Sequence, residues 1–187
     1  EFRRVLFRSQ NLGVHLLQGG PFLLGDEMGT GKTVMALTAA RHLYKQGKVS
    51  HVLVVAPNSM KHRWAEEAAT WFPEAETLVI EGTKAKREKA WNEFVDERPR
   101  HQPMVVCVNW ESLRVLSRVA GYGSIKLTDA DREEGILNEV DWDCVIADEA
   151  HRAKDAKAKQ TRALWAVAER AGWRWGLTGT PVLNTPG

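Results

Sequence analysis

Gly25-Asp26-Glu27-Met28-Gly29-Thr30-Gly31-Lys32-Thr33 follows the apolar run Phe22-Leu23-Leu24 and leads into Val34-Met35-Ala36-Leu37-Thr38-Ala39-Ala40. A short buried strand, a glycine-bearing loop and a helix opening at Lys32-Thr33 make a phosphate-binding loop. Glycines let successive backbone N–H groups turn inward on phosphate oxygens, and the helix N-terminus adds a positive dipole. The candidate nucleotide-binding residues are therefore Gly29, Thr30, Gly31, Lys32 and Thr33, with Lys32 reaching the outer phosphates and the Thr33 hydroxyl ligating magnesium. The strict pattern Gly-x4-Gly-Lys-Thr fails at its first position, where Asp26 stands.

Outward from this loop, apolar runs bounded by turn residues alternate with amphipathic stretches, the signature of an α/β fold with a mainly parallel sheet. Strands are expected over 22–25, 51–56, 77–80, 104–109, 144–147 and 173–177, and helices over 32–46, 59–71, 84–95, 111–119 and 160–170. Between 120 and 143 the pattern weakens, with a short helix expected near 129–137. The 187 residues suffice for one well-buried domain. A hydrophobic share of 43% and a charged share of 27% are ordinary for a globular chain. No run approaches the roughly 20 apolar residues of a membrane helix, so no membrane partner is expected and a cytoplasmic location is. Cys107 and Cys144 each lie inside an apolar run and read as buried, reduced thiols.

Residues 1–9 read as a foreign extension, with a native basic arm as the alternative. With suitable codons they reverse-translate to GAGTTCAGACGTGTGCTCTTCCGATCT, which matches a common short-read sequencing adapter, so the genuine domain is expected over 10–187. Arg3, Arg4 and Arg8 less Glu1 account for the whole formal charge of +2, leaving the remainder near neutral. Overall charge is therefore no argument for nucleic acid, which must rest on local features.

Asp148-Glu149-Ala150-His151 ends the apolar run Cys144-Val145-Ile146-Ala147, 116 residues beyond Lys32. An acidic pair at the end of a buried strand, downstream of a phosphate loop, suits magnesium-dependent nucleotide hydrolysis. Asp148 would hold the metal, and Glu149 would orient and deprotonate the attacking water. An acidic helix cap is the bland alternative. A third run, Trp173 onward, enters Thr178-Gly179-Thr180, whose hydroxyls suit coupling, or whose Gly179 and Pro181 simply make a turn. Ligands gather at the carboxyl ends of strands in open α/β sheets, so one edge is expected to collect all three motifs.

With these motifs on the page, the sequence resembles superfamily 2 helicases and, within them, the Snf2 family of DNA-dependent ATPases. Asp26 to Thr33 is similar to Snf2 motif I, with Thr30 where leucine is common. Asp148-Glu149-Ala150-His151-Arg152 with Lys154, a DEAH-type box, resembles motif II, and Leu177-Thr178-Gly179-Thr180-Pro181 resembles motif III. The resemblance implies a three-layer RecA-like P-loop domain with a mainly parallel central sheet flanked by helices. It also implies ATP and Mg2+ as ligands and movement along double-stranded DNA, and it lies nearest the annealing-helicase branch and its bacterial and phage relatives, with a nucleoid-associated location. Glu149, Asp148 and Lys32 carry catalysis in this reading, Thr33 and Asp148 hold the metal, and His151, Thr178 and Thr180 couple the site to motion.

Further matches follow the same resemblance. Gln10 with Gly13 and Val14 is similar to the Q motif, whose glutamine reads adenine; an ordinary helix glutamine is the alternative. Ala56-Pro57-Asn58-Ser59, with Lys61, Arg63 and Trp64 on the next turn, resembles motif Ia and makes Asn58 and Ser59 candidate contacts to the DNA backbone, or Ser59 a helix cap. Val108-Asn109-Trp110-Glu111 resembles motif Ib and implies a DNA contact from Trp110. Trp64 and Trp71, seven apart, read as core. The basic sets Lys84, Lys86, Arg87, Lys89 and Lys154, Lys157, Lys159, Arg162 read as solvated faces.

The family carries ATP between two RecA-like domains, the second supplying arginines. The sequence ends at Gly187, six residues past Pro181, so the second domain is expected as a missing partner in cis. Such arginines are worth about 10^3 to 10^5 in rate, and this chain alone is expected to hydrolyse almost no ATP. A strand-separating DNA or RNA helicase and a non-catalytic nucleotide-binding module stay open as rival readings.

Overall fold

The computed structural model describes residues 6, 8–25, 31–116 and 135–179. Among them, six short apolar runs become six parallel strands of one sheet: β1 (Phe22–Gly25), β2 (His51–Ala56), β3 (Glu76–Val79), β4 (Met104–Asn109), β5 (Cys144–Asp148) and β6 (Trp173–Thr178), in the order β1-β6-β5-β2-β4-β3. The helices are α1 (Arg8–Leu17), α2 (Lys32–Lys45), α3 (Lys61–Trp71), α4 (Lys84–Glu97), α5 (Trp110–Leu116) and α6 (Lys159–Ala168), with 3-10 turns at Ile136–Asn138 and Ala150–Ala153.

Continuous apolar strands call for cover on both faces, and the two-residue side-chain period decides which residue meets which layer. Val52, Val54, Val105, Cys107, Cys144, Ile146, Trp175 and Leu177 pack with Leu17 of α1, Leu37 and Leu43 of α2 and Trp64 and Ala68 of α3. Their alternates Leu53, Val55, Val106, Val108, Val145 and Ala147 pack with Trp91 and Phe94 of α4, Leu113 of α5 and Leu164 and Val167 of α6. This is the expected α/β architecture of a parallel sheet between two helical layers. Cys107 and Cys144 are buried free thiols, and burial pushes the Cys107 thiol up to about 12.

Several boundaries differ from the sequence expectation. β3 starts and ends one residue earlier than expected, although the Ile80 N–H still donates to the Cys107 carbonyl at 3.0 Å. β5 and β6 each run one residue further, so that Asp148 and Thr178 are themselves strand residues. α3 opens at Lys61 rather than Ser59, because a turn closed by Met60 N–H to Pro57 O (2.9 Å) precedes it and Met60 takes the cap position. The expected helix over 129–137 lies mostly outside the described residues, which hold only the 3-10 turn at its end.

α1 was expected only as the alternative for Gln10, and it owes its place to tryptophans at a distance. The Trp175 indole donates to the carbonyls of Leu17 (2.9 Å) and Gly20 (3.0 Å), and the Trp173 indole donates to Gln18 O at 3.1 Å. These bonds satisfy the carbonyls that a helix C-terminus leaves open. They fix α1 beside β6.

Candidate nucleotide site

The register sets the geometry. Gly25 pairs with Thr178, Leu177 with Asp148, and Ala56 with Asn109, so the residues leading into every polar motif reach the same edge of the sheet. β6 stands between β1 and β5, which separates the phosphate-loop strand from the acidic strand by two strand spacings, about 10 Å. Gly25 and Asp148 thus lie at one carboxyl edge, where ligands gather in open α/β sheets.

Gly31 closes the loop at φ 80°, ψ 33°, a left-handed conformation that favours glycine, and α2 begins at the next residue. Gly31 has no side chain with which to cap α2, and the dipole at this helix start favours an anion. Lys32 and Thr33 are half-buried on that first turn. Gly29 and Thr30 lie outside the described residues, as does Thr180.

Gln10 is brought to the same place. An ideal Cβ at Gly31 would overlap the Gln10 amide nitrogen, and one at Gly13 would overlap the Met35 sulfur. The absent side chain at Gly13 lets α1 press onto α2, and Gln10 lies against the last glycine of the loop. The expected adenine-reading glutamine therefore stands beside the phosphate loop.

The acidic end of β5 is held from several sides. Asp148 Oδ2 accepts the Trp64 indole N–H at 3.0 Å, and Oδ1 accepts the Glu149 backbone N–H at 3.0 Å. The Trp110 indole donates to the Asp148 main-chain carbonyl at 2.9 Å. Glu149 takes a left-handed backbone at φ 55°, the sole non-glycine residue with positive φ among the described residues. Such conformations cost about 1–3 kcal/mol and concentrate at functional sites. The His151 Nδ1 lies 3.1 Å from Glu149 Oε2 and 3.2 Å from Thr178 Oγ1. Thr178 is buried at the end of β6. His151 therefore joins the motif II carboxylate to the motif III hydroxyl across adjacent strands.

Of the expected DNA contacts, Asn58 and Ser59 are exposed in the turn before α3, and Ser59 is not that helix's cap. Trp110 is a correction: it is fully buried, its one polar hydrogen is spent on Asp148 O, and its side chain offers DNA no surface. What reaches solvent from that turn is Glu111, which accepts from Arg152 Nη2 at 2.7 Å and from Asn109 Nδ2 at 2.8 Å. The Arg152 guanidinium, followed by the Asn109 amide, holds the Glu111 carboxyl down at about 2. Lys61 of the motif Ia turn is buried and paired with Glu81 at 2.9 Å, whereas Lys84 and Lys89 pair with Glu88 and Glu93 along the exposed face of α4.

The tryptophan bonds to Asp148 escaped the sequence reading. Helical spacing marks Trp64 as apolar core, which it is, but an indole N–H must also find an acceptor when buried. That requirement was the only available signal.

Comparison with known proteins gives the family and the fold. Bovine DNA annealing helicase and endonuclease ZRANB3 is 31% identical over 180 residues, spanning 96% of this chain and 14% of the relative. The CHD3-type chromatin-remodeling factor PICKLE of Arabidopsis thaliana is 30% identical over 170 residues, 87% of this chain and 12% of its own length. The chain thus spans about a seventh or less of these curated relatives. The SWI2/SNF2 ATPase core of Sulfolobus solfataricus, solved in complex with dsDNA, superposes with a TM-score of 0.73 at 21% identity, covering 98% of this chain and 34% of that one. The SNF2-related domain model matches residues 14–186, leaving outside it only the first thirteen positions and the last, so the chain belongs to the SNF2-related family, whose members hydrolyse ATP.

Proposed function

We propose that this chain is the ATP-binding part of a motor that couples hydrolysis to movement along, or remodelling of, double-stranded DNA. The observation that carries the reading is the meeting of Gly31-Lys32-Thr33, Asp148-Glu149 and Thr178 at one sheet edge, with His151 bridging Glu149 and Thr178. Lys32 engages the outer phosphates, and Gln10, against Gly31, reads adenine.

The donor set fits magnesium. Thr33 offers a hydroxyl and Asp148 a carboxylate, both hard oxygen ligands. Among the described residues no group of three or more His, Cys, Asp or Glu could cage a metal. Magnesium is suited to such a site, being held by one or two protein oxygens together with substrate phosphates and water. When bound it would neutralise charge on the phosphates. Glu149, on its fixed left-handed backbone, orients and deprotonates the water, and His151 reports the state of Glu149 to Thr178.

The exposed Asn58 and Ser59 at the same edge are the proposed contacts to the DNA backbone. The likeness to the annealing helicase supports that branch, and a cytoplasmic, DNA-associated protein follows from the same reading. In a longer protein that carries this domain, duplex DNA should stimulate ATP hydrolysis more than single strands or RNA. Glu149→Gln should keep ATP binding while lowering stimulated turnover about 10^2- to 10^4-fold, the share of general-base catalysis. Turnover unchanged by that substitution, or stimulated best by RNA, overturns the proposal.

A further inference from the structure

We infer that Trp64 is a positioning residue for the magnesium-side carboxylate, an indole that sets the orientation of Asp148 from the neighbouring helix. This rests on the reading of Asp148 given above. A carboxylate presents about four lone-pair sites on its two oxygens. Here one on Oδ1 takes the Glu149 backbone N–H and one on Oδ2 takes the Trp64 indole N–H, each at 3.0 Å. Two anchors on different oxygens fix the plane of the group and leave one site on each oxygen that could face the metal. The bond to Glu149 comes from the adjoining backbone and holds one oxygen only. The second oxygen is held by Trp64, which is fully buried in the core between α3 and the sheet and cannot swing aside.

The other indole on this residue acts differently. Trp110 donates to the Asp148 main-chain carbonyl, so it fixes the backbone at the end of β5 and leaves the carboxylate alone. Trp71, about two turns further along α3, donates its indole N–H to Glu67 on the same helix. The three tryptophans thus form a graded set in which only Trp64 bonds a metal-side oxygen. Groups hydrogen-bonded to metal-ligating residues are commonly worth 10- to 100-fold in metal affinity.

The test is Mg2+ dependence, read by the anisotropy of a fluorescently tagged ATP bound to the chain. Trp64→Phe keeps an aromatic side chain in the core, smaller than the indole, and removes the N–H. It is expected to raise the half-saturating Mg2+ concentration about 10-fold, while binding of the tagged ATP in EDTA stays as in the wild type. Trp71→Phe should leave the Mg2+ curve in place. A Trp64→Phe curve that overlays the wild type overturns the inference. If Asp148→Asn removes the Mg2+ dependence and Trp64→Phe does not shift it, the reading of the site stands and the role of Trp64 falls. If Mg2+ has no effect on the wild type, both fall.

A measurement that needs no tryptophan variant covers the case in which Trp64→Phe does not fold. In the chain labelled with 15N-tryptophan, the side-chain indole signal displaced most by Asp148→Asn should also move when Mg2+ is added to the nucleotide-bound wild type. A signal indifferent to Mg2+ overturns the inference.

Discussion

Gly31→Ala tests whether Gln10 belongs to the nucleotide site. The substitution does two things that a second glycine separates. Gly31 sits at φ 80° and Gly47 at φ 72°, so alanine at either position meets a similar left-handed backbone cost of about 1–2 kcal/mol. For a domain of this size that is a fall in Tm of about 2–8 °C. Around Gly47 an added Cβ meets nothing within 4 Å, whereas at Gly31 it overlaps the Gln10 amide. The end of a glutamine side chain swings away cheaply, so the two variants should lose similar stability. They should differ in nucleotide choice. If Gln10 reads the base as proposed, Gly47→Ala keeps a preference for ATP over GTP and Gly31→Ala loses most of it, because the Gln10 amide has been displaced. Thermal melts give the first quantity, and competition of unlabelled ATP and GTP against a tagged ATP gives the second. Equal ATP preference in both variants, at equal stability, refutes the placement of Gln10 as the base reader.

Two further outcomes follow from the site's surroundings. A Cβ at Gly176 would lie 2.8 Å from Leu23 Cδ1 and 3.0 Å from Ala150 Cβ. Leu23 is half exposed and can rotate, but Ala150 cannot yield without moving the turn that carries His151, so Gly176→Ala should cost about 1–3 kcal/mol by denaturant midpoint and lower turnover as well. Glu111 is held near 2 by Arg152 and Asn109, below its ordinary value of 4.5. A lowered carboxyl contributes stability above about 4.5 that is lost as pH falls toward 2, so the wild type should lose more stability than Glu111→Gln between pH 5 and 2.5. Because the Glu111 side chain is 57% exposed, the difference at pH 7 should stay below about 1 kcal/mol. Parallel acid titrations of the two proteins would argue against the pairing.

The strands were legible because a sheet covered on both faces writes itself as uninterrupted apolar runs, and β2 and β4 match residue for residue. The loop and the acidic pair were legible because their chemistry needs particular residue types next to strand ends. Less was visible where tertiary contacts decide. α1 carries no acidic residue in its first turn, and it holds its place through Trp173 and Trp175, more than 150 positions away. Trp110 was assigned outward by motif position, but burial of its whole ring reversed that, since an indole satisfied by Asp148 O is more stable inside than at a polar rim. No local pattern distinguishes an inward from an outward tryptophan at a turn.

The bonds around Asp148 also join the turn proposed to contact DNA to the carboxylate proposed to face the metal. Asn58 and Ser59 are exposed in the turn that leads into α3, and Trp64 follows one turn inside that helix with its hydrogen on the Asp148 carboxylate. On the other side, Glu111, itself bonded by the Asn109 amide, holds Arg152, whose guanidinium lies 5.9 Å above the Trp110 ring, while Trp110 holds the Asp148 backbone. The segment from Asp148 to Arg152 is therefore gripped by the elements following β2 and β4, and His151 ties it to β6. A shift of α3 that the sheet did not follow would strain the Trp64 bond to Asp148, because the indole is packed tightly on all sides. On the proposal that Asn58 and Ser59 contact DNA, that contact and the Asp148 carboxylate are therefore joined through one short helix, with Trp64 as the bonded residue between them.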